Sequence, residues 1–218
     1  MITFISRREL LRRAGLAGAA AAVARADLLV RAEASGAPPI QAPAAAARAP
    51  LEHLSASEAD ILDAIVARLI PADADGPGAL EAGATRYIDR ALGGALASSR
   101  EAYRSGLTAL DQYARTARGK PFQELATADQ DAVLIDVEDG MATGFTAGSA
   151  PFFALVRAHT LQGTLCDPFY GGNANFVGWD LIGYPGVRTL VTPDEQRLGA
   201  DVPANHKSAY DTEMFAKP

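Results

Sequence analysis

Apolar residues recur at helical spacing along most of this chain, and this periodicity most constrains its fold. The first run follows Ser55 and Glu58, which have the spacing of a capping box, and it stops at Pro71. Its apolar positions lie three and four residues apart: Ile61, Leu62, Ile65, Val66, Leu69 and Ile70. The pattern predicts a first helix over about residues 57 to 70.

Four further stretches have the same period and are bounded by the same kinds of residue. Proline is tolerated in the first turn of a helix, and glycine is favoured just after the last turn. The predicted helices are a second from Pro77 to Gly93 and Gly94, a third over about 99 to 118 before Gly119, a fourth from a capping box of Thr127 and Gln130, and a fifth from Ser149 and Pro151. Alternating strand patterns are nearly absent. The sequence therefore predicts an all-α fold, an irregular bundle of about five helices.

The helical period ends near Leu165, and residues 166 to 190 are rich in glycine and aromatic residues. The aromatic side chains carry too much apolar surface to be left in water: Phe169, Tyr170, Phe176, Trp179 and Tyr184. We therefore expect a long ordered loop region here. Its glycines allow positive φ angles and close backbone approach, and its asparagines can close local turns.

The amino-terminal segment has the pattern of a twin-arginine export signal. Arg7 and Arg8 precede a weakly apolar, alanine-rich stretch over residues 14 to 24. About eleven apolar residues are too few to cross ~30 Å of hydrocarbon as a helix, so the segment is a targeting signal and not a lasting membrane anchor. We expect a signal peptide over residues 1 to 34 and export of the folded protein to the periplasm.

Composition divides the remaining chain, and its charge excludes two classes of partner. We predict an Ala- and Pro-rich linker over 35 to 54, a helical domain over 55 to 190 and a C-terminal tail over 191 to 218. Without residues 1 to 34 the chain keeps 14 of its 20 basic and 23 of its 26 acidic residues, a net charge of −9. Such a chain should repel nucleic acid and anionic lipid.

Motifs that hold a cofactor are missing from the sequence. The single cysteine, Cys166, excludes a Cys-x-x-Cys-His haem attachment and an internal disulfide. His53, His159 and His206 show no metal-binding spacing, and no Gly-x-Gly-x-x-Gly motif follows a strand. We therefore expect this chain to bind no cofactor or metal. Folded export normally serves proteins that take up a cofactor or a partner first, so a partner that carries the cofactor would explain the signal.

The late glycine and aromatic motifs resemble those of a known family. Residues 167 to 173 read Asp-Pro-Phe-Tyr-Gly-Gly-Asn, and they are followed by Gly178-Trp179 and by Ile-Gly-Tyr-Pro-Gly over 182 to 186. This stretch resembles the carboxy-terminal motifs of the gluconate 2-dehydrogenase subunit 3 family. The resemblance extends back to about residue 54 and includes Leu-Ile-Pro-Ala-Asp over 69 to 73.

The resemblance implies a non-catalytic small subunit of a dehydrogenase complex. It implies a large FAD-binding subunit of the glucose-methanol-choline oxidoreductase type, often with a multihaem cytochrome c as the membrane-associated electron acceptor. The implied substrates are sugars, sugar acids and related alcohols, and the small subunit would meet the membrane only through its partners. The family's small subunit has no recognised catalytic residues. The motif residues are candidates for the partner interface: Asp167, Pro168, Tyr170, Gly171, Gly172, Asn173, Trp179, Tyr184 and Pro185.

Several of these residues also fit a purely structural role. Trp179 and Tyr184 fit either interface anchors or core residues that fix the loop to the bundle. Cys166 fits either a small buried side chain or a reactive or intersubunit thiol. Three structural roles are expected elsewhere: a turn cap for Asp167, a buried helix position for His159 and a solvated helix face for the acidic residues between 129 and 139.

Two classes of function are compatible with the sequence. The first is an accessory subunit that brings a flavoprotein through the twin-arginine route and stabilises it. The second is a free-standing periplasmic carbohydrate-binding protein or enzyme that uses the glycine and aromatic loop as a cleft, because aromatic faces and amide groups can hold sugars. A flavoprotein without its own export signal would favour the first, and sugar binding by the isolated chain would favour the second.

Overall fold

The computed structural model describes residues 51–74 and 76–212, all within the compact unit Arg48–Pro218. Its α-helices are α1 Ala56–Leu69, α2 Ala84–Leu92, α3 Arg100–Arg118, α4 Thr127–Glu138, α5 Ser149–Leu165 and the short α6 Val177–Ile182. Its 3₁₀ turns are Ala97–Ser99, Phe122–Glu124, Pro168–Tyr170, Ala174–Phe176 and Ala209–Asp211. These residues form no β-strand, and the predicted all-α class is confirmed. Arg7, Arg8 and the signal segment lie outside the described residues.

Helix α1 forms as its capping box predicts. The Ser55 hydroxyl accepts a hydrogen bond from the Glu58 backbone N–H, and the Glu58 carboxylate accepts one from the Ser55 N–H. The helix ends at Leu69, two residues before Pro71, which cannot continue it. Its apolar face is buried: Ala59, Ile61, Leu62, Ile65 and Val66.

The predicted start of the second helix at Pro77 is wrong. Helix α2 begins at Ala84, because Gly83 takes a left-handed φ of 75° that a helix interior does not allow. Before it the chain turns back, and the Ala79 N–H donates to the Ile70 carbonyl at 2.9 Å. Gly78 permits this approach, since a β-carbon there would lie 2.2 Å from the same carbonyl oxygen.

The predicted capping box at the start of the fourth helix is also wrong. Thr127 is the first residue inside α4, and Ala126 occupies the cap position without a side-chain hydrogen bond. Gln130 is instead buried, and its Nε2 donates to the Phe122 carbonyl at 3.1 Å. A side chain that pairs with a neighbouring turn cannot also reach back to the helix start, which explains the error.

The five long helices pack around one apolar core. Helix α5 lies against α2 and α4, and α1 contacts each of the other four. Gly106 of α3 makes room for Phe152 of α5, because a β-carbon at position 106 would lie 2.2 Å from the phenyl ring. The largest fully buried side chains include Tyr103, Phe122, Leu62, Ile65, Ile88, Leu92, Leu107, Leu110 and Leu134. No helix within residues 51–74 and 76–212 is long and apolar enough to span a bilayer.

A buried carboxylate holds the start of the described chain. Asp89 of α2 is 1% exposed, and its two oxygens accept hydrogen bonds from the backbone N–H groups of Glu52, His53 and Leu54 at 2.8 to 2.9 Å. Burying a carboxylate is costly unless it is well hydrogen-bonded, and here three donors satisfy it. The entry into α1 is therefore fixed by a contact that helical periodicity alone does not predict.

Candidate functional site

Residues 166–186, here called the signature loop, fold onto the carboxyl end of α5. Asn173 lies fully buried at its centre with a left-handed φ of 44°. Its Nδ2 donates to the Cys166 carbonyl at 2.9 Å, and its Oδ1 accepts from the Gly178 N–H at 2.7 Å. Its own N–H donates to the Gly163 carbonyl at 2.8 Å. One asparagine thus joins both halves of the loop to the end of the helix.

Two glycines of the loop lie directly against the last turn of α5. A β-carbon at Gly172 would sit 2.1 Å from the Gly163 carbonyl oxygen, and one at Gly178 would sit 1.7 Å from the Thr164 carbonyl oxygen. Both obstacles are backbone atoms, which cannot rotate away. Any side chain at these two positions would force the loop off the helix.

Trp179 fixes the loop to the bundle, and Tyr184 covers it. The indole of Trp179 is 5% exposed, and its Nε1 donates to the Leu165 carbonyl at 3.0 Å. The Tyr184 ring packs on Trp179 in an edge arrangement with centroids 4.8 Å apart, while 39% of Tyr184 remains exposed. In this chain Trp179 is buried against the bundle, whereas Tyr184 also offers a free face.

Asp167 caps the first turn of the loop, as expected, and it also binds the C-terminal tail. Its Oδ1 accepts from the Phe169 N–H at 2.9 Å and from the Ser208 hydroxyl at 2.6 Å. Its Oδ2 accepts from the Ala209 N–H at 2.9 Å. Hydrogen bonds to a carboxylate are among the stronger ones in proteins, so Asp167 links two distant parts of the sequence.

The tail returns to the loop over residues 203–212, here called the returning segment. The Val187 N–H donates to the Lys207 carbonyl at 3.1 Å, and the Asn205 N–H donates to the Pro185 carbonyl at 3.0 Å. Asn205 Nδ2 also donates to the Val187 carbonyl at 2.9 Å. The sequence motifs gave no signal of this pairing, because the partners are separated by up to about twenty residues of irregular chain.

Three rings at this junction form a surface that we call the aromatic cluster: Phe169, Tyr170 and Tyr210. Phe169 and Tyr210 stack with centroids 3.6 Å apart, and the Tyr170 and Tyr210 hydroxyls lie 3.1 Å apart. The hydrogen bond with Tyr210 raises the pKa of Tyr170, so the Tyr170 hydroxyl stays protonated near neutral pH. Phe169 and Tyr170 are about half exposed, at 49% and 51%. Tyr210 and Phe169 were not among the predicted interface residues.

The nine predicted interface residues divide by exposure. Tyr170 and Tyr184 present faces to solvent, and three are buried by the chain itself: Gly172, Asn173 and Trp179. The remaining four are partly exposed: Asp167, Pro168, Gly171 and Pro185. The assignment of all nine residues to a partner interface remains a prediction.

Two other residues were singled out in the sequence: one is buried among the helices, and the other begins the signature loop. His159 is buried on α5, as expected, and its Nδ1 lies 3.1 Å from the Tyr103 hydroxyl. Burial lowers the pKa of His159, so its imidazole is neutral at neutral pH. Cys166 is a half-buried free thiol, and burial raises its pKa. Within the described ranges no group of three His, Cys, Asp or Glu side chains could hold a metal ion.

The acidic residues of α4 do not form a uniformly solvated face. Asp129, Glu138 and Asp139 are exposed, as expected. Asp131, however, forms an ion pair with Arg68 of α1 at 2.8 Å, and Asp136 accepts a hydrogen bond from the Tyr113 hydroxyl at 3.1 Å. These two carboxylates connect α4 to neighbouring helices, which the charge pattern alone does not reveal.

Two cavities among the described residues lie beside helix α3. One, of about 160 Å³, is lined mainly by apolar groups such as Phe145, Pro151 and Phe152, and it is smaller than ordinary ligand pockets of ~300 Å³ or more. A second, of about 370 Å³, is an open groove beside Ser55, Arg104 and Asp111.

The model of the family described as Gluconate 2-dehydrogenase subunit 3 matches residues 56–186, which include helices α1 to α6 and the whole of the loop motif. No curated protein and no solved structure matches the chain. The family indicates an accessory subunit of a hetero-oligomeric dehydrogenase complex. The match covers more than half of the sequence and ends where the aromatic loop ends, so this chain belongs to the gluconate 2-dehydrogenase subunit 3 family.

Proposed function

We propose that this chain is the non-catalytic small subunit of a flavin-dependent dehydrogenase that oxidises sugars, sugar acids or related alcohols. Its role is to bring the large FAD-binding subunit to the periplasm by the twin-arginine route and to stabilise it there. A multihaem cytochrome c would accept the electrons at the membrane. The family match over residues 56–186 is the observation that carries this proposal.

The signature loop supplies the surface that such a subunit needs. Its backbone is fixed by buried groups, among them Asn173 and Trp179, so its outer face is presented in one conformation. The rings of Phe169, Tyr170 and Tyr184 are exposed in this loop. Tyrosine is enriched among the residues that contribute most to interfaces, and a preformed surface lowers the entropic cost of binding.

The carbohydrate-cleft alternative is less well supported. A sugar site in the loop would need an accessible indole face and free amide groups. Trp179 is 5% exposed, and the amide of Asn173 is already hydrogen-bonded to Cys166 and Gly178. Trp179 and Asn173 therefore serve inside the loop.

The export role is tested by a charge-preserving substitution. Changing Arg7 and Arg8 together to lysine should leave both this chain and the large subunit in the cytoplasm, because the pair is read by a receptor and not as net charge. The matched control changes Arg12 and Arg13 to lysine, which replaces the same number of arginines behind the pair and also preserves the charge. Fractionation followed by immunoblotting measures both proteins. Periplasmic large subunit in the Arg7 and Arg8 variant would contradict the shared-signal role.

The accessory role is tested by purification from the source cells. An affinity-tagged form of this chain should retain an untagged flavoprotein, and the pair should reduce an artificial electron acceptor with a sugar, sugar acid or alcohol. The chain on its own should show neither flavin absorbance nor dehydrogenase activity. A stoichiometric flavin in the isolated chain, or a purified chain that holds no flavoprotein, would overturn the proposal.

A further inference from the structure

The returning segment lies outside the family match, yet it is attached to the signature loop at three separate points. The family region ends at residue 186, and the segment covers residues 203–212. The first attachment is the backbone pairing around Val187 and Asn205. Gly186 has a φ of 87°, and a β-carbon there would lie 2.0 Å from the Asn205 side-chain oxygen. The loop thus ends in a glycine whose small size accommodates the segment.

The second attachment is a short capped turn bound to Asp167. Ser208 and Asp211 form a capping box of their own around the turn Ala209–Asp211. The Ser208 hydroxyl and the Ala209 N–H then donate to the two carboxylate oxygens of Asp167. This arrangement sets the direction in which Tyr210 leaves the backbone.

The third attachment combines backbone strain with ring stacking. Phe176 and His206 both have positive φ angles, of 61° and 47°, which are uncommon for bulky residues. Their rings stack with centroids 5.1 Å apart, and His206 Nε2 lies 2.8 Å from an Asp180 carboxylate oxygen. Strained conformations persist only where surrounding contacts determine them, so the loop and the segment fix each other.

These contacts place Tyr210 on the outer face of the loop. Its ring stacks on Phe169 and its hydroxyl meets that of Tyr170, so two half-exposed family residues and one tail residue share one surface. We propose that the returning segment completes the surface that binds the large FAD-binding subunit, with Tyr210 as a contact residue of that interface. This inference rests on the proposed function, and it extends the interface beyond the family region. The matching surface of the large subunit would be an apolar pocket with acceptors for the tyrosine hydroxyls.

Substitutions at Tyr210 test this inference in the assembled complex. Tyr210→Ala should weaken binding of the large subunit by roughly thirtyfold, the loss typical of an aromatic interface anchor. Tyr210→Phe keeps the ring on Phe169 and should lose about threefold or less. Leu198→Ala is the matched control, because Leu198 is fully exposed in the same tail and should not change binding. Affinity is measured on an immobilised small subunit, and thermal melting of each variant reports its folding.

A crosslink separates direct contact from an effect on folding. Benzoyl-phenylalanine at position 210 retains an aromatic ring there and should crosslink to the large subunit on irradiation, whereas the same group at position 198 should not. Unchanged or tighter binding by Tyr210→Ala, or no crosslink from position 210 in an assembled complex, would overturn the inference. Tighter binding would make the segment a lid instead. If the wild-type chain binds no large subunit at all, both the proposed function and this inference are wrong. If the wild-type chain binds the large subunit, the Tyr210 variants test the inference alone.

Discussion

The helical body and the signature loop are stabilised by different means. In the body, helices α1 to α5 bury apolar faces against one another, and large side chains such as Phe122 and Leu62 are fully enclosed. In the loop and the returning segment, order comes from side-chain hydrogen bonds to backbone, from glycines pressed against α5, and from stacked rings. Apolar packing determines that the chain folds, whereas polar contacts and close approach determine the shape of the surface that it presents.

Truncating a core side chain should destabilise the helical body without changing the surface that binds the large subunit. Phe122→Ala should lower the free energy of unfolding by about 3 to 5 kcal/mol, since it removes a fully buried ring and leaves a cavity. Chemical denaturation measures the loss, with Leu198→Ala as an exposed control that should stay within about 0.5 kcal/mol of wild type. Under conditions where the variant is folded, it should still bind the large subunit. Loss of binding by the folded variant would break the distinction between the two regions.

Adding a single methyl group in the loop should have the opposite effect, because it destabilises the loop and leaves the helices intact. Gly178→Ala places a β-carbon on the Thr164 carbonyl and should cost about 1 to 3 kcal/mol of loop stability while the helices persist. Trp179 is the only tryptophan of the chain, so its emission reports the loop alone and far-UV circular dichroism reports the helices.

We expect red-shifted Trp179 emission with unchanged helix content in that variant. Gly94→Ala is the control, because Gly94 has open space around its Cα and a β-carbon there would meet nothing within 4 Å. If both signals change together, the loop and the body form one cooperative unit and the comparison fails.

The smallest expected effect is a pH dependence that belongs to the body. Burial lowers the pKa of His159 in the folded chain, whereas the unfolded chain takes up its proton near pH 6.5. The contribution of His159 to stability is therefore complete above that pH and is lost as the pH falls towards the lower folded pKa. His159→Gln keeps an acceptor for the Tyr103 hydroxyl and should reduce this loss of stability at low pH. Denaturation of the wild type and of His159→Gln between pH 5 and 8 measures the free energy of unfolding at each pH. Equal pH profiles for the two proteins would show that the imidazole is not held neutral.

The sequence predicted the body better than the loop for a physical reason. Helices α1, α3 and α5 follow local rules of period, capping and glycine or proline stops, which need no knowledge of distant residues. The start of α2 depended instead on the left-handed Gly83, and the role of Asp89 depended on backbone groups about 36 residues away. Motif recognition located the loop, but the contact between Asp167 and Ser208 spans 41 residues and has no local signal.

Amide hydrogen exchange of the small subunit, alone and in the complex, tests the central claim most directly. The claim is that the signature loop and the returning segment, and not the helical body, form the surface that holds the large FAD-binding subunit. We predict that binding slows exchange in peptides covering residues 168–171, 182–186 and 206–212, while peptides from α1 and α4 change little. Slower exchange confined to the helices, with these three stretches unaffected, would contradict the account.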